Sequence, residues 1–371
     1  MLIGVPKEIK NHEYRVGLVP SSVAELVRDG HRVMVEAGAG IGAGVLDSEY
    51  QSVGAEIADG PAQIFAEAEL IVKVKEPQPQ ERKNLKRGQV LFTYLHLAPD
   101  LEQTRDLLES GATCVAYETV TSYSGALPLL TPMSEVAGRL APQVGSHCME
   151  KAQGGRGVLL GGVPGVAPAN VIILGGGVSG AHACTIAIGM GANVTVVDRS
   201  AEALRRISAQ FGGRAQTAFS TRETIAHLVP TADLLIGAVL VPGSVAPKLI
   251  TRDLLHTMKR GSVLVDISID QGGCAETSRA TTHSDPTYVV DDVIHYCVAN
   301  MPGAVARTST FALNNVTLPF VLAIANQGWR QAMVNDPHLR NGLNVHEGQL
   351  TSAPVAEAHG IVFTPAEKVI H

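Results

Sequence analysis

Three glycines and one aspartate are spaced for binding a dinucleotide. The segment VIILGGGVSGAHACTIAIGMGANVTVVD indicates a buried strand, a turn at Gly175, Gly177 and Gly180, a helix over Ala181–Gly189, and a second strand that ends at Asp198. In such a turn the glycines let backbone N–H groups approach a pyrophosphate, and the positive end of the helix points at it. A carboxylate about 20 residues beyond the glycines accepts hydrogen bonds from the ribose hydroxyls of NAD and repels the 2′-phosphate of NADP.

A glycine triplet alone is weak evidence in a chain with 38 glycines, and an ordinary strand–helix turn is the alternative. Here the strand, turn, helix, strand and acid occur in the expected order, which favours dinucleotide binding. Arg199 follows the acid, and a neighbouring arginine helps NADP to bind. We nevertheless expect Asp198 to set a preference for NAD.

Two segments nearer the N-terminus carry side chains that bind anions or transfer protons. In ELIVKVKEP, Lys73 and Lys75 alternate with valines, so a strand places both on one side, with Lys75 at its carboxyl end. In QVLFTYLHL, His96 lies near the carboxyl end. Because open α/β sheets bind ligands outside these ends, neighbouring strands would bring an ammonium group and an imidazole together. On position alone, a histidine there is more often structural and a lysine is usually solvated.

Two further charged residues lie in predicted loops. Arg15, within KEIKNHEYRVG, suits bidentate binding of a carboxylate, although a surface salt bridge is the more common role of such an arginine. Asp270 follows LVDISI and precedes QGG, so it is either a reactive group at a strand end or a turn cap. The His–Cys pairs of the sequence lack the further ligands of a closed zinc site, and we predict no metal.

These residues must be positioned by two series of strands and helices. The first 118 residues alternate helix-like segments with the apolar runs LIGVP, HRVMVEAG, ELIVKVKEP, QVLFTYLHL and ATCVAYE. A second such series begins near Ala169 with the runs ANVIILGGG, ANVTVVD, ADLLIGAVL, GSVLVDISID and TYVVDDVIHY. This alternation predicts βα units with parallel sheets. A helix-like stretch from about Ser309 to Ala332 and a polar tail follow, and we expect the tail to pack on the first domain. The sequence therefore predicts two Rossmann-like, doubly wound α/β domains, with an NAD-binding domain at 129–306 inserted between two parts of a substrate domain, 1–128 and 307–371.

Composition narrows the classes of partner. A net charge of −6 without a basic stripe disfavours nucleic-acid binding. The most apolar run, Val316–Ala325, is short for a membrane span and contains Pro319. Five cysteines without a C-x-x-C pair are typical of reduced thiols in the cytosol. We expect a cytoplasmic protein that acts on small molecules, with no nucleic-acid or membrane partner.

Taken together, the motifs resemble the alanine dehydrogenase and transhydrogenase NAD-subunit family, and within it the bacterial L-alanine dehydrogenases. The resemblance covers essentially the whole chain and is carried by GVPKEIKNHEYRVG, by Lys75 and His96, by the glycine turn with Asp198, and by SIDQGG and VANMPGAVART. It implies reversible oxidative deamination of L-alanine to pyruvate and ammonia, with NAD accepting the hydride. It also implies a homo-oligomer, commonly a hexamer.

The resemblance implies roles for individual residues. Arg15 and Lys75 would bind the carboxylate and carbonyl end of the substrate, and His96 would be the general acid/base on the carbonyl or carbinolamine oxygen. Asp270 would transfer protons for water and ammonia next to the cofactor. Further NAD contacts implied by matching positions are Ser134, Val178, Ser220, Val239, Leu240, Ile267, Arg279, Val298, Asn300 and Met301.

The chain departs from the family pattern at two places. Members often have a basic residue near the adenosine ribose, where this chain has Ala203. Some members bind magnesium through a Glu and a His on the long helix after the cofactor domain. This chain has Ala323 and Gln327 there, so no such site is predicted.

Three alternatives share this architecture. The NAD(H)-binding subunits of proton-translocating transhydrogenases have a segment similar to RAQSMD near the position where this chain has LLTPMSE, from Leu129. This difference, together with Arg15, Lys75 and His96, favours the dehydrogenase. A non-catalytic NAD-binding sensor is disfavoured by intact candidates at all four catalytic positions. Saccharopine-type dehydrogenases act on a bulkier substrate, and alanine as the substrate rests on the resemblance alone.

Overall fold

Two α/β units make up the chain in a computed structural model, which describes residues 1–239 and 246–370. The split unit consists of Met1–Met133 and Val305–His371, and the inserted unit of Ser134–Ala304. The insertion of one unit into the other agrees with the sequence-based prediction. The boundaries fall after Met133 and after Ala304, where the sequence had placed them after residues 128 and 306.

The strands are short and mostly buried. In chain order they are β1 (Leu2–Val5), β2 (Arg32–Glu36), β3 (Glu56–Ala58), β4 (Leu70–Val72), β5 (Val90–Thr93), β6 (Thr113–Ala116), β7 (Asn170–Leu174), β8 (Asn193–Asp198), β9 (Ala215–Phe219), β10 (Leu234–Gly237), β11 (Val263–Asp266), β12 (Thr287–Val290), β13 (Val293–Tyr296), β14 (Leu343–His346) and β15 (Gln349–Leu350).

Both units have a doubly wound sheet, and the six parallel strands of the two sheets follow the same order. The split unit's sheet runs β15-β14-β6-β5-β4-β1-β2-β3, and the inserted unit's runs β12-β13-β11-β10-β7-β8-β9. β1 to β6 pair in parallel, as do β7 to β11 with β13. β12 pairs antiparallel with β13 at one edge, and β14 pairs antiparallel with both β6 and the edge strand β15. The strand order therefore reverses between β1 and β4 in one sheet and between β7 and β10 in the other. Open sheets bind ligands at such switch points, outside the carboxyl ends of the strands.

Helices connect these strands. They are α1 (Pro20–Arg28), α2 (Asp47–Ser52), α3 (Pro61–Glu67), α4 (Pro79–Arg82), α5 (Leu101–Ser110), α6 (Thr131–Cys148), α7 (Val178–Gly189), α8 (Ala201–Phe211), α9 (Arg222–Leu228), α10 (Arg252–His256), α11 (Ala306–Gln327), α12 (Trp329–Asn335), α13 (Pro337–Arg340), α14 (Ala353–His359) and α15 (Ala366–Val369).

Differences from the predicted elements have local causes. The stretch predicted as one helix from Ser309 is two helices, because Gly328 adopts a φ of +76° between them. The polar tail packs on the split unit as expected, but it also supplies the strands β14 and β15. The run TYVVDDVIHY is a hairpin, because Asp291 and Asp292 both take left-handed conformations at its centre.

One helical stretch, Met301–Gln327, is long and apolar enough to cross a membrane by length and composition alone. It is longer than Val316–Ala325, the apolar run that the sequence analysis judged too short for a membrane span. Such a test is also passed by core helices, and 44% of its most apolar window is buried. Within α11, the buried Asn314 accepts hydrogen bonds from Val19 N at 2.9 Å and Ser22 Oγ at 3.2 Å. These contacts make α11 a packed helix of the split unit.

Candidate active site

The three residues predicted to meet the substrate follow three neighbouring strands of the split unit. Arg15 lies in the loop after β1, Lys75 after β4 and His96 after β5, and these strands are adjacent in the sheet. The reversal of strand order between β1 and β4 makes this edge the switch point of the sheet. The structure therefore places Lys75 and His96 at one edge, as the strand positions predicted, and the loop after β1 adds Arg15 at the same edge.

Arg15 is held by a carboxylate from its own loop. Its Nε and Nη2 donate to the two carboxylate oxygens of Glu13 at 2.6 and 2.5 Å, and its Nη1 lies 3.1 Å from Met133 Sδ. The Arg15 and Glu13 side chains are 1% and 0% exposed, so the pair is buried and the surface salt bridge considered from the sequence is wrong. Although burial opposes the charge, the hydrogen bonds and charge of Glu13 raise the pKa of Arg15 above its usual value. A buried guanidinium of fixed orientation is suited to binding a substrate carboxylate.

Lys73 and Lys75 lie in different environments, which corrects the expectation that both face one side of a strand. β4 ends at Val72, so the strand alternation does not extend to them. Lys73 is fully buried, whereas Lys75 is partly exposed. The following carboxylate, Glu76, is mostly buried, which raises its pKa, but the charges of Lys75 and Lys10 outweigh burial and its pKa is lowered overall.

His96 sits in a constrained turn just after β5. It has a φ of +51°, and its backbone N–H donates to Glu118 Oε1 at 2.6 Å. The same carboxylate lies 3.9 Å from His96 Nδ1, and the imidazole stacks on Tyr94 with ring centroids 5.7 Å apart. A non-glycine residue in this conformation is unusual and is maintained by its surroundings. The His96 side chain is 42% exposed, so the ring is oriented and still accessible.

Sequence reasoning missed the carboxylates that hold these residues. Glu8 accepts from the backbone N–H groups of Val74 and Lys75, Glu13 binds Arg15, and Glu118 binds the turn of His96. Glu8 and Glu13 belong to the loop segment KEIKNHEYRVG that was singled out for Arg15, which was the available signal. Glu118 is the last residue of the run ATCVAYE, and only the pairing of β5 with β6 places it near His96.

The glycine turn of the inserted unit has the expected backbone geometry. Gly175 has a φ of +106°, and α7 begins at Val178, three residues earlier than Ala181. A Cβ on Gly180 would lie 1.8 Å from the Gly175 carbonyl oxygen, so close packing of the helix requires glycine. A Cβ on Gly177 would have no described atom within 4 Å, which leaves room for a phosphate group. This turn fits the pyrophosphate of a dinucleotide.

Asp198 ends β8 beside this turn. Its Oδ2 accepts from Gly176 N at 2.6 Å and its Oδ1 from Ser200 N at 2.7 Å. Each carboxylate oxygen has a second acceptor direction, so binding to ribose hydroxyls remains compatible with these bonds. Arg206 of α8 donates to the Gly176 carbonyl oxygen at 2.9 Å, one turn beyond the buried Ala203. The corner that the sequence assigned to the ribose thus holds a fixed carboxylate.

Asp270 lies in a short 3-10 helix, Ile267–Gln271, which follows β11. The carboxylate that caps this turn is Asp266, which accepts from Ser268 N at 3.0 Å, Cys274 N at 2.8 Å and Ser278 Oγ at 2.6 Å. Asp270 itself is exposed. The structure therefore gives the capping role considered for Asp270 to Asp266, and the reactive role of Asp270 stays a prediction.

The other predicted cofactor contacts fall mainly after strand ends of the inserted unit. Ser220 follows β9, Val239 follows β10, and Ser268 Oγ next to Ile267 donates to the Val239 carbonyl at 2.7 Å. Ser134 accepts from Ser179 Oγ at 3.0 Å, which places it against α7. Leu240 lies outside the described residues. The remaining positions are Val178 at the start of α7, Arg279 packed over the Tyr288 ring, and Val298, Asn300 and Met301 after β13.

The described part of the chain, 1–239 and 246–370, contains no group of three or more His, Cys, Asp and Glu side chains placed to hold a metal ion. Ala323 and Gln327 lie on α11. The absence of a metal site stays a prediction.

Comparisons with known proteins agree along the whole chain. The profile described as "Alanine dehydrogenase/PNT, N-terminal domain" matches residues 4–137, and "Alanine dehydrogenase/PNT, C-terminal domain" matches 141–353. The chain is 59% identical over 370 residues to an alanine dehydrogenase of Halomonas elongata, with 100% of both chains covered. It is 52% identical over 371 residues to that of Bacillus subtilis, with 100% of this chain and 98% of the other covered.

Solved structures show the same similarity. An L-alanine dehydrogenase structure superposes with a TM-score of 0.94 at 51% identity, covering 97% of this chain and 99% of that one. A transhydrogenase from Sinorhizobium meliloti superposes with a TM-score of 0.82 at 25% identity, covering 95% and 99%. The chain is thus more similar to the dehydrogenase structure than to the transhydrogenase in both sequence and fold.

Proposed function

Since this chain belongs to the alanine dehydrogenase/PNT family, we propose that it catalyses the NAD-dependent, reversible oxidative deamination of L-alanine to pyruvate and ammonia. The observation that carries this proposal is the convergence of Arg15, Lys75 and His96 at the switch point of the split unit. This set offers cationic groups for a carboxylate and a proton-transfer group for an adjacent oxygen.

NAD is the proposed cofactor, and it supplies the hydride acceptor. Gly175, Gly177 and Gly180 would receive its pyrophosphate at the N-terminus of α7. Asp198 would accept hydrogen bonds from the adenosine ribose and disfavour NADP. The open space at Gly177 and the fixed Asp198 carboxylate support this assignment.

On the substrate side, the proposal assigns Arg15 and Lys75 to the carboxylate and carbonyl end of pyruvate. In the direction of amination, ammonia adds to the carbonyl carbon while His96 delivers a proton to the oxygen, which gives a carbinolamine. Asp270 transfers the protons that accompany ammonia addition and loss of water. Reduction of the resulting iminium carbon then gives L-alanine. Glu118 supports the role of His96, because it fixes the turn that aims the imidazole.

We also propose that the enzyme acts in the cytoplasm as a homohexamer, with small-molecule substrates and without nucleic-acid or membrane partners. The cysteines Cys114, Cys148, Cys184, Cys274 and Cys297 are all unpaired and buried, which is compatible with a reducing compartment.

The experiment that tests the reaction incubates the protein with NADH, pyruvate and isotopically labelled ammonium. We expect NADH oxidation that depends on ammonium, with the label in L-alanine, and NADH formation when L-alanine and NAD are supplied. Oxidation that proceeds without ammonium would indicate a 2-hydroxy acid product and would contradict the proposal.

The similarity to a transhydrogenase favours one second candidate, the NAD(H)-binding subunit of such an enzyme. That function predicts hydride exchange between dinucleotides only with partner subunits and no amination of pyruvate. The labelled-ammonium experiment therefore separates the two candidates.

A further inference from the structure

A buried group of three charged side chains contacts the backbone segment that carries Lys75. Lys73 Nζ donates to Glu8 Oε2 at 3.1 Å and to Glu81 Oε1 at 2.7 Å. The side chains of Lys73, Glu8 and Glu81 are 0%, 2% and 4% exposed, respectively. We call this group the Glu8–Lys73–Glu81 network.

Stability alone does not account for the network. Removing three charged groups from water is costly, and well-packed apolar side chains of similar volume are often as stabilising as a buried ion pair. One ammonium also faces two carboxylates, and burial together with the charge of Glu81 raises the pKa of Glu8 although Lys73 opposes this. The network therefore has to provide something that apolar side chains lack, namely hydrogen-bond acceptors at fixed positions.

Those acceptors bind the backbone that carries Lys75. Glu8 Oε1 accepts from Val74 N at 2.7 Å and from Lys75 N at 3.3 Å. β1 pairs with β4 at Ile3–Leu70 and Gly4–Ile71 and not beyond. The Glu8 side chain therefore accepts from backbone N–H groups that lie past the end of the β1–β4 pairing. Glu81 Oε2, in contrast, accepts from Gln78 N at 2.7 Å and does not bind the Lys75 segment through its backbone N–H groups.

The carbonyl groups of the same segment accept hydrogen bonds from hydroxyl groups in β5 and just after β6. Tyr117 OH donates to the Lys73 carbonyl at 3.0 Å, and Thr93 Oγ1 donates to the Lys75 carbonyl at 2.9 Å. Glu8 thus binds the N–H groups of this segment, and two hydroxyl groups bind its carbonyls. These hydrogen bonds fix the backbone at Lys75 although β4 has already ended at Val72.

We propose that Glu8, anchored by Lys73, is a positioning residue that sets the backbone of Lys75 and hence the reach of its ammonium group toward a 2-oxo acid. This inference rests on the proposed substrate role of Lys75. A displacement of about 1 Å at a binding group far from the chemistry costs as much as about 100-fold in rate, so the hold on this backbone matters for catalysis.

The test compares Glu8→Gln with Glu81→Gln, which make the same substitution and the same change of charge in one network. A glutamine at position 8 has one carbonyl oxygen and cannot accept both from Lys73 Nζ and from the two backbone N–H groups. Glu81→Gln leaves the bonds of Glu8 to Lys73, Val74 and Lys75 in place. The readouts are KM for pyruvate and kcat at saturating NADH and ammonium, the Kd of NADH, and unfolding by denaturant.

We expect Glu8→Gln to raise KM for pyruvate by about 10-fold or more, whereas Glu81→Gln leaves it near the wild-type value and the Kd of NADH is unchanged in both. Equal changes of KM in the two variants, or loss of stability in Glu8→Gln with an unchanged KM, would overturn the proposal.

If Glu8→Gln does not fold, Glu8→Asp retains the charge but withdraws the carboxylate by one methylene, and it is expected to raise KM in the same way. A wild-type protein without turnover refutes the proposed function itself, whereas a working wild type with equal variants refutes only the positioning role.

Discussion

The six parallel strands of the two units follow the same order, and each unit has predicted ligand residues at its switch point, but the units hold these residues by different means. In the inserted unit, the glycine turn relies on the backbone, through the φ of Gly175 and the absence of a side chain at Gly180. In the split unit, side-chain carboxylates hold the predicted residues, with Glu13 on Arg15 and Glu118 on the turn of His96. The cofactor turn is therefore shaped mainly by its own backbone, whereas the substrate residues are held by side-chain carboxylates, one from the same loop (Glu13) and one that follows a neighbouring strand (Glu118).

This difference follows from what each site has to bind. A pyrophosphate is recognised by N–H groups and a helix terminus, which any sequence with the right glycines provides. A small 2-oxo acid offers one carboxylate and one carbonyl, so specific side chains must be held at defined positions. The substrate residues consequently depend on carboxylates that orient their side chains and loops, whereas in the cofactor turn the side chains of Asp198 and Arg206 bind a backbone whose shape the glycines already allow.

The largest effect is expected where the backbone alone matters. In Gly180→Ala the new methyl would lie 1.8 Å from the Gly175 carbonyl, so the turn must move and NADH binding should be lost. Gly177→Ala is the matched variant, because its Cβ would meet no described protein atom within 4 Å. It should fold normally and bind NADH more weakly, since the methyl occupies the space of the pyrophosphate. Fluorescence titration with NADH measures the affinity of both variants, and wild-type affinity in Gly180→Ala would show that the turn does not require glycine at this position.

The next effect concerns a buried carboxylate of the split unit. Glu13→Gln leaves the Arg15 charge without its buried partner, which should cost about 3–5 kcal/mol of unfolding free energy and raise KM for pyruvate. Glu25→Gln is the control, because the Arg28–Glu25 pair is exposed, and it should cost less than about 1 kcal/mol. Denaturant unfolding measures the difference, and similar costs for the two variants would show that Glu13 is dispensable.

A smaller effect is expected on cofactor choice. Asp198→Ala removes the carboxylate that would repel a 2′-phosphate, and the preference for NADH over NADPH should narrow by about 10-fold, equivalent to about 1.4 kcal/mol. Asp198→Asn removes the charge but keeps a side-chain acceptor for Gly176 N or Ser200 N. The ratio of kcat/KM for the two cofactors is measured in each, and an unchanged ratio would remove Asp198 from the ribose site.

The smallest effect is a dependence of stability on pH in the inserted unit. His295 is fully buried, and burial lowers its pKa below the usual value. As the pH falls below about 6.5, this histidine binds a proton in the unfolded chain before it does so in the folded chain. The free energy of unfolding is therefore at its full value above about pH 6.5 and decreases as the pH falls toward the folded pKa. The slope is at most about 1.4 kcal/mol per pH unit for one group. Unfolding of His295→Gln at several pH values should show a shallower slope, whereas the exposed His227→Gln should keep the wild-type slope.

The distance along the chain between contacting residues determines which parts of the two sites could be predicted from the sequence. The glycine turn and Asp198 lie within one short segment, so spacing alone located them. Glu8 lies 66 residues from Val74, and only the sheet brings the two together. Likewise, the strands β3 and β9 were not predicted, because these edge strands carry polar and exposed residues instead of an apolar run.

The division of roles between the two units is tested most directly by measuring turnover and NADH binding in one preparation of His96→Ala. His96 in the split unit is proposed to transfer the proton, and the glycine turn in the inserted unit is proposed to bind NADH. We therefore expect kcat for amination of pyruvate to fall by about 10²–10⁴-fold while the Kd of NADH stays at the wild-type value. Retained turnover, or loss of NADH binding together with turnover, would contradict this division of roles.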